Sequence, residues 1–130
     1  MCYKIIVVDD NDSFRELIRK TVQKIKHVEI AATAGNGEEA VPKVRELKPD
    51  LVLLDIRMPG MDGIKTLEVI KRENPQIKVI MFTNYEMPEY RKATSEKGAD
   101  GFVLKKELFR ELVPMIEKLQ KNTEDNPESD

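Results

Sequence analysis

Apolar residues fall along this chain in two alternating patterns. Short, nearly unbroken apolar runs occupy Tyr3–Val8, His27–Ala34, Leu51–Leu54, Lys78–Thr83 and Gly101–Leu104. Runs of this length bounded by turn residues read as strands, and continuous apolar runs read as strands buried on both faces. Between them the apolar positions recur at helical spacing. Phe14, Leu17, Ile18, Val22 and Ile25 make one stripe; Ala40, Val41, Val44 and Leu47 a second; Ile64, Leu67 and Ile70 a third. A shorter, more polar helix is predicted from Met87-Pro88 to about Lys97. The last helix carries Leu108, Phe109, Leu112, Val113, Ile116 and Leu119 on its buried side.

Punctuation between the runs supports this division. Ser13 and Glu16 have capping-box spacing at the start of the first helix. Asn36 is placed to cap the second helix and Asp62 the third. Asn74-Pro75 ends the third, and Gly98 suits the residue just past the fourth. Pro42 and Pro114 fall inside predicted helices, so a bend or local break is expected at each. Residues 122–130 are acidic, polar and contain Pro127, and read as a disordered tail.

Five strand-then-helix units with short connections predict an α/β fold: a doubly wound, five-stranded parallel sheet with five helices and right-handed crossovers. The leading strand order is 2-1-3-4-5, with strands one and three adjacent at the switch point. Residues 1–121 form one domain in this reading, with no internal repeat.

Composition narrows the class further. Twenty-two Lys and Arg against 24 Asp and Glu leave a formal charge of −2 with no basic block, which argues against nucleic-acid binding by this domain itself. Cys2 is the only cysteine, so an intramolecular disulfide or a cysteine metal cluster is excluded. The apolar runs are too short to span a bilayer and no signal peptide precedes the first strand. A cytoplasmic protein is the expectation.

The candidate chemistry lies at the carboxyl ends of the strands, where open α/β sheets bind ligands. Those ends read Asp9-Asp10, Asp55, Thr83 and Lys105. Three carboxylates in one pocket repel one another and perturb one another's ionisation. A divalent cation relieves that, and all-oxygen ligation suits Mg²⁺ better than zinc. A carboxylate beside such a cation can act as a nucleophile toward phosphorus. The Lys105 ammonium and the Thr83 hydroxyl would then neutralise the phosphoryl oxygens. The one histidine, His27, opens the second strand and is not available for acid–base work.

The Asp9-Asp10 pair, the stretch LVLLDIRMPGMDG from Leu51 to Gly63, Thr83, and GADGFVLK from Gly98 to Lys105 together resemble response-regulator receiver domains, over residues 3 to about 121. The resemblance implies a flavodoxin-like, CheY-like fold and a Mg²⁺-dependent switch of two-component signalling. Asp55 would accept a phosphoryl group from a histidine kinase or phosphotransfer protein. Asp10, Asp55 and the backbone carbonyl of Arg57 would contact the metal, with Asp9 acting mainly through water. Thr83 and Lys105 would grip the phosphoryl group, and Phe102 would be the aromatic that moves with the threonine. The readout would fall on the fourth helix, fifth strand and fifth helix, at Tyr90, Arg91, Phe102 and Lys106. A downstream protein, an output domain or a phosphorylation-linked homodimer would receive the signal. Lys106 stands where the family often has proline. Arg57 and Tyr85 hold positions that tune loss of the phosphoryl group, and their bulk predicts a longer-lived phosphoform.

Plainer readings compete at each position. Asp9 and Asp10 could simply favour a helix N-terminus. Asp55 could be a strand-end turn residue, Lys105 a solvated charge, and Phe102 simple core. Three further functions also stand beside the switch: a receiver excised from a DNA-binding transcriptional regulator, an unphosphorylated adaptor, and an aspartyl phosphatase. Such phosphatases usually carry a second acid two residues after the nucleophile, and Arg57 occupies that place.

Overall fold

The computed structural model describes residues 2–58 and 60–124. The elements run β1 (Tyr3–Val8), α1 (Asp12–Val22), β2 (Val28–Ala34), α2 (Gly37–Leu47), β3 (Leu51–Asp55), α3 (Gly63–Glu73), β4 (Lys78–Thr83), α4 (Pro88–Glu96), β5 (Gly101–Leu104) and α5 (Leu108–Glu124). A 3₁₀ turn over Lys105–Glu107 joins β5 to α5. The strands form one parallel sheet in the order β2-β1-β3-β4-β5, as the sequence predicts.

Strand periodicity divides the core into two layers. Ile5, Val7, Leu51, Leu53, Ile80, Phe82 and Val103 pack with Ile18 and Val22 of α1 and with Leu112 and Ile116 of α5. The intervening residues Ile6, Val8, Val52, Leu54, Val79 and Met81 pack with α2 and α3 through Ala40, Val44, Leu67 and Ile70. All five residues of β3 are buried. Burying each large aliphatic side chain contributes about 1.5–3 kcal/mol.

Three helices begin on a side-chain cap. Asn36 accepts from the Glu39 amide and Asp62 from the Lys65 amide, both as expected. The α1 cap is Asn11, not the predicted Ser13 box. Its extended backbone aims the carboxamide oxygen at the Phe14 amide, 2.9 Å away, which places Ser13 within the first turn. Leu17 and Phe109 also depart from their expected burial and are 42% and 51% exposed. Ile18 takes the inward position, and Leu17, about 100° round the helix, faces out.

α2 and α5 are each one continuous helix through Pro42 and Pro114. Each proline forfeits one ladder bond, while Val44 and Ile116, just beyond, are buried against the sheet. α5 takes in residues 122–124 of the predicted tail; residues 125–130, with Pro127, lie outside the described ones. Gly98 has the positive φ (+94°) that its C′ position requires.

Tyr3 carries a polar atom without a purpose in this core: its hydroxyl is buried with no hydrogen-bond partner among the described residues. Removing an orphaned hydroxyl relieves roughly 1 kcal/mol. Tyr3→Phe is therefore expected to raise the Tm by about 4 °C in a thermal melt, and a fall in Tm would show that the hydroxyl is satisfied.

Candidate functional site

Because every strand is parallel, all five carboxyl ends meet at one edge. β1 and β3 are neighbours with Val8 opposite Leu54, so the next residues, Asp9 and Asp55, come side by side. β4 lies beyond β3 and ends at Thr83, and β5 beyond it ends one residue before Lys105. Carboxylate oxygens of Asp9, Asp10 and Asp55 all lie within 4.8 Å of one another. Asp9 is fully buried, Asp55 is 4% exposed and Asp10 is exposed.

Lys105 closes this cluster. Its ammonium donates to Asp9 Oδ2 at 2.9 Å and to Asp55 Oδ2 at 3.1 Å. The second oxygens are tied to the following backbone: Asn11 N donates to Asp9 Oδ1 at 3.0 Å and Arg57 N to Asp55 Oδ1 at 3.3 Å. Thr83 is fully buried, and its hydroxyl oxygen accepts from the Tyr85 amide at 3.2 Å. Asp10, Asp55, Arg57, Thr83, Tyr85 and Lys105 border one open cleft of about 320 Å³. At its mouth the Arg57 guanidinium lies over the Tyr85 ring, 4.4 Å from the centroid.

Gly63 fixes where β3 stops and α3 starts. A Cβ there would sit 2.0 Å from the carbonyl oxygen of Asp55, and the Gly63 amide donates to Ile56 O at 2.8 Å. Only a residue without a side chain lets α3 begin this close beneath the end of β3. On the far side of the same loop, Glu38 accepts from the Met61 amide at 2.7 Å.

Burial, followed by the charge of Asp9, pushes the Asp55 carboxyl up to about 7 against the opposing pull of Lys105. Burial alone would lower the Lys105 ammonium, but its hydrogen bond to Asp9 and the charges of Asp55 and Asp9 outweigh this and raise it. Three carboxylates against one ammonium leave an excess of negative charge in a partly buried, oxygen-only donor set. That set fits a hard divalent cation.

Asp9, Asp10, Asp55, Thr83, Lys105 and Arg57 are thus gathered at one place. Phe102 is not: it is half-buried outside the cleft, packed against the core layer under α2 and α3, with the Arg91 guanidinium 4.5 Å above its ring. Two site neighbours were read from the sequence only as core. Phe14 and Phe82 lie beneath the Lys105 ammonium at 4.5 and 5.4 Å. A third neighbour, Arg15, donates to the Asp9 carbonyl and to Asp12. Local pattern carries no mark of the two ring contacts, because Lys105 arrives from the other end of the chain.

A doubly wound α/β domain with an acidic cluster and an invading lysine at the switch point defines a narrow class, and sequence comparison places the chain within it. The family model for the response regulator receiver domain matches residues 5–117, and the chain belongs to that family. The transcriptional regulatory protein LnrK of Bacillus subtilis is 40% identical over 102 residues, 78% of this chain and 46% of that protein. A solved DNA-binding response regulator of the LuxR family from Staphylococcus aureus superposes with a TM-score of 0.84 at 32% identity, covering 90% of this chain and 98% of that one. A chain of the CheX-CheY-BeF₃-Mg²⁺ complex from Borrelia burgdorferi does so with a TM-score of 0.84 at 28% identity, covering 90% and 88%. This chain spans about half the length of the curated relatives it matches. Among the described residues no helix is long and apolar enough to cross a membrane.

The Asp55 shift carries a stability consequence. Its folded value lies above the ordinary 3.8, so folding favours the protonated form. The associated stability is full below that ordinary value and is lost as pH rises through about 7. Asp55→Asn is expected to be more stable than wild type by about 2 kcal/mol at pH 8 in metal-free buffer. The gap should close toward pH 4. Denaturant melts across that range check it, and a constant gap would contradict the shift.

Proposed function

We propose that Asp55 is the phosphoacceptor of a two-component signalling switch. The observation that carries this is the Lys105 ammonium bridging Asp9 and Asp55 beside a third carboxylate and a buried threonine, at the edge where parallel strands present ligands. The donor is the phosphohistidine of a sensor histidine kinase or phosphotransfer protein. The phosphorus–nitrogen bond breaks with its electron pair leaving on the imidazole, and a phosphorus–oxygen bond forms to the Asp55 carboxylate. Lys105 and Thr83 take phosphoryl oxygens, offsetting charge that Asp55 alone could not hold. Asp10, Asp55 and the Arg57 carbonyl would hold Mg²⁺, with Asp9 nearby, and the bound ion would supply further neutralisation of the phosphoryl group. The related CheY complex was crystallised with Mg²⁺ and BeF₃.

The product is a state, not a released molecule. Phosphate on Asp55 shifts an existing equilibrium between surface arrangements. Phe102, Tyr90, Arg91 and Lys106 form the readout, and a downstream protein, an output domain or a second copy receives it in the cytoplasm. Residues 1–121 are the signalling unit. A specific observation favours the receiver of a DNA-binding transcriptional regulator: this chain covers 46% of a transcriptional regulatory relative and 98% of a solved chain of a DNA-binding response regulator.

Intact mass after incubation with acetyl phosphate and Mg²⁺ tests the central claim. One added phosphoryl group is expected in wild type and none in Asp55→Asn; an unmodified wild type with its fold intact would favour an adaptor. The Arg57–Tyr85 stack narrows the approach of water to the same cleft. Arg57→Ala and Tyr85→Ala are each expected to shorten the phosphoform half-life severalfold, and unchanged decay curves would sink that role.

A further inference from the structure

Four groups converge on one ammonium. Two are carboxylate oxygens, of Asp9 and Asp55, already described. The other two are ring faces. Lys105 Nζ lies 4.5 Å from the Phe14 centroid and 5.4 Å from the Phe82 centroid. The rings also touch each other, with centroids 5.6 Å apart and planes tilted by 38°. Each is fixed by something other than the lysine. Phe82 is fully buried and pairs with Asp55 across β3 and β4. Phe14 sits in the first turn of α1, its amide held by the Asn11 cap at 2.9 Å.

A cation within about 6 Å of an aromatic face is attracted by the ring quadrupole, most strongly where water is excluded. The Lys105 side chain is only 11% exposed. Its ammonium has three donors, and its hydrogen bonds among the described residues go to Asp9 and Asp55. The two rings therefore replace much of the hydration that an ammonium ordinarily keeps.

We propose that Phe14 and Phe82 are positioning residues that seat the Lys105 ammonium during phosphoryl transfer to Asp55. The inference rests on the phosphoacceptor reading and adds to it. During transfer the negative charge on Asp55 moves out to the phosphoryl oxygens, so Lys105 must exchange a carboxylate partner for a phosphoryl one. Asp9 pulls on the ammonium throughout, and as a full charge it competes with the incoming group. The rings attract the ammonium without that competition and do not change as the reaction proceeds. They keep it at the edge of the sheet while its oxygen partners are exchanged. An aliphatic pair would fill the space but leave the ammonium to follow Asp9.

The test uses the 130-residue chain with phenylalanine, 4-fluoro-, 3,5-difluoro- or pentafluorophenylalanine at position 14. The series keeps the ring's shape while draining electron density from its face. Acetyl phosphate with Mg²⁺ is the donor: a bond forms from an Asp55 oxygen to phosphorus, and acetate leaves with the electron pair. The initial rate of phosphoprotein formation, followed by intact mass, is expected to fall in step with fluorination, by roughly threefold or more across the series. Phe14→Tyr, which keeps the face, should stay near wild type, whereas Phe14→Leu should fall at the slow end. In a Lys105→Met background the fluorine trend should vanish. A flat series in a chain whose wild type is phosphorylated overturns the seat, and so does a trend that persists without Lys105. A wild type that takes no phosphoryl group overturns the phosphoacceptor reading itself and the seat with it. The wild-type control tells these failures apart.

Discussion

The structure turns on charge buried at the end of an apolar strand. β3 is covered on both faces, so the carboxylate that terminates it has little access to water, and Asp9 on the neighbouring strand has none. A buried carboxylate without partners costs several kcal/mol, and two side by side cost more. The Lys105 ammonium offsets part of this from a 3₁₀ turn that places it directly over the pair. The compensation is incomplete, since Asp55 remains far above its ordinary ionisation range. Such a site is poised to take up further positive charge or to hand its own charge outward.

Much of the rest of the fold holds that edge in place. Asn11, Asn36 and Asp62 start α1, α2 and α3 soon after β1, β2 and β3 end, and so turn three helix N-termini toward one side of the sheet. The positive ends of those helix dipoles favour anions there. Gly63 lets α3 begin against the carbonyl of Asp55, and Glu38 reaches from α2 to the amide of Met61. Together these contacts leave the phosphoacceptor candidate little freedom to move.

The outward-facing part of the molecule is built differently. Phe102 sits opposite Met81 on the edge strand, half-buried, with Arg91 of α4 lying across it. Thr83, two residues beyond Met81, is fully buried and ties its hydroxyl to the Tyr85 amide at the head of the loop leading to α4. α4 meets β5 on this face through Arg91 over the Phe102 ring.

The sequence by itself determined the element order, the parallel sheet and the identity of the charged residues at its edge. Those features rest on local rules: unbroken apolar runs such as Leu51–Leu54, helical spacing such as Leu67 to Ile70, and turn residues between them. Where local rules competed, tertiary packing decided. Asn11 displaced Ser13 as a cap because α1 starts at Asp12, which leaves Asn11 extended with its side chain on the Phe14 amide. Leu17 lost its inward place to Ile18. The surroundings of Lys105 were decided by tertiary structure alone. Phe14 and Phe82 carry ordinary core patterns, and nothing in either segment anticipates an ammonium delivered from β5. A local pattern records which face of an element is apolar; what that face meets depends on how distant segments pack.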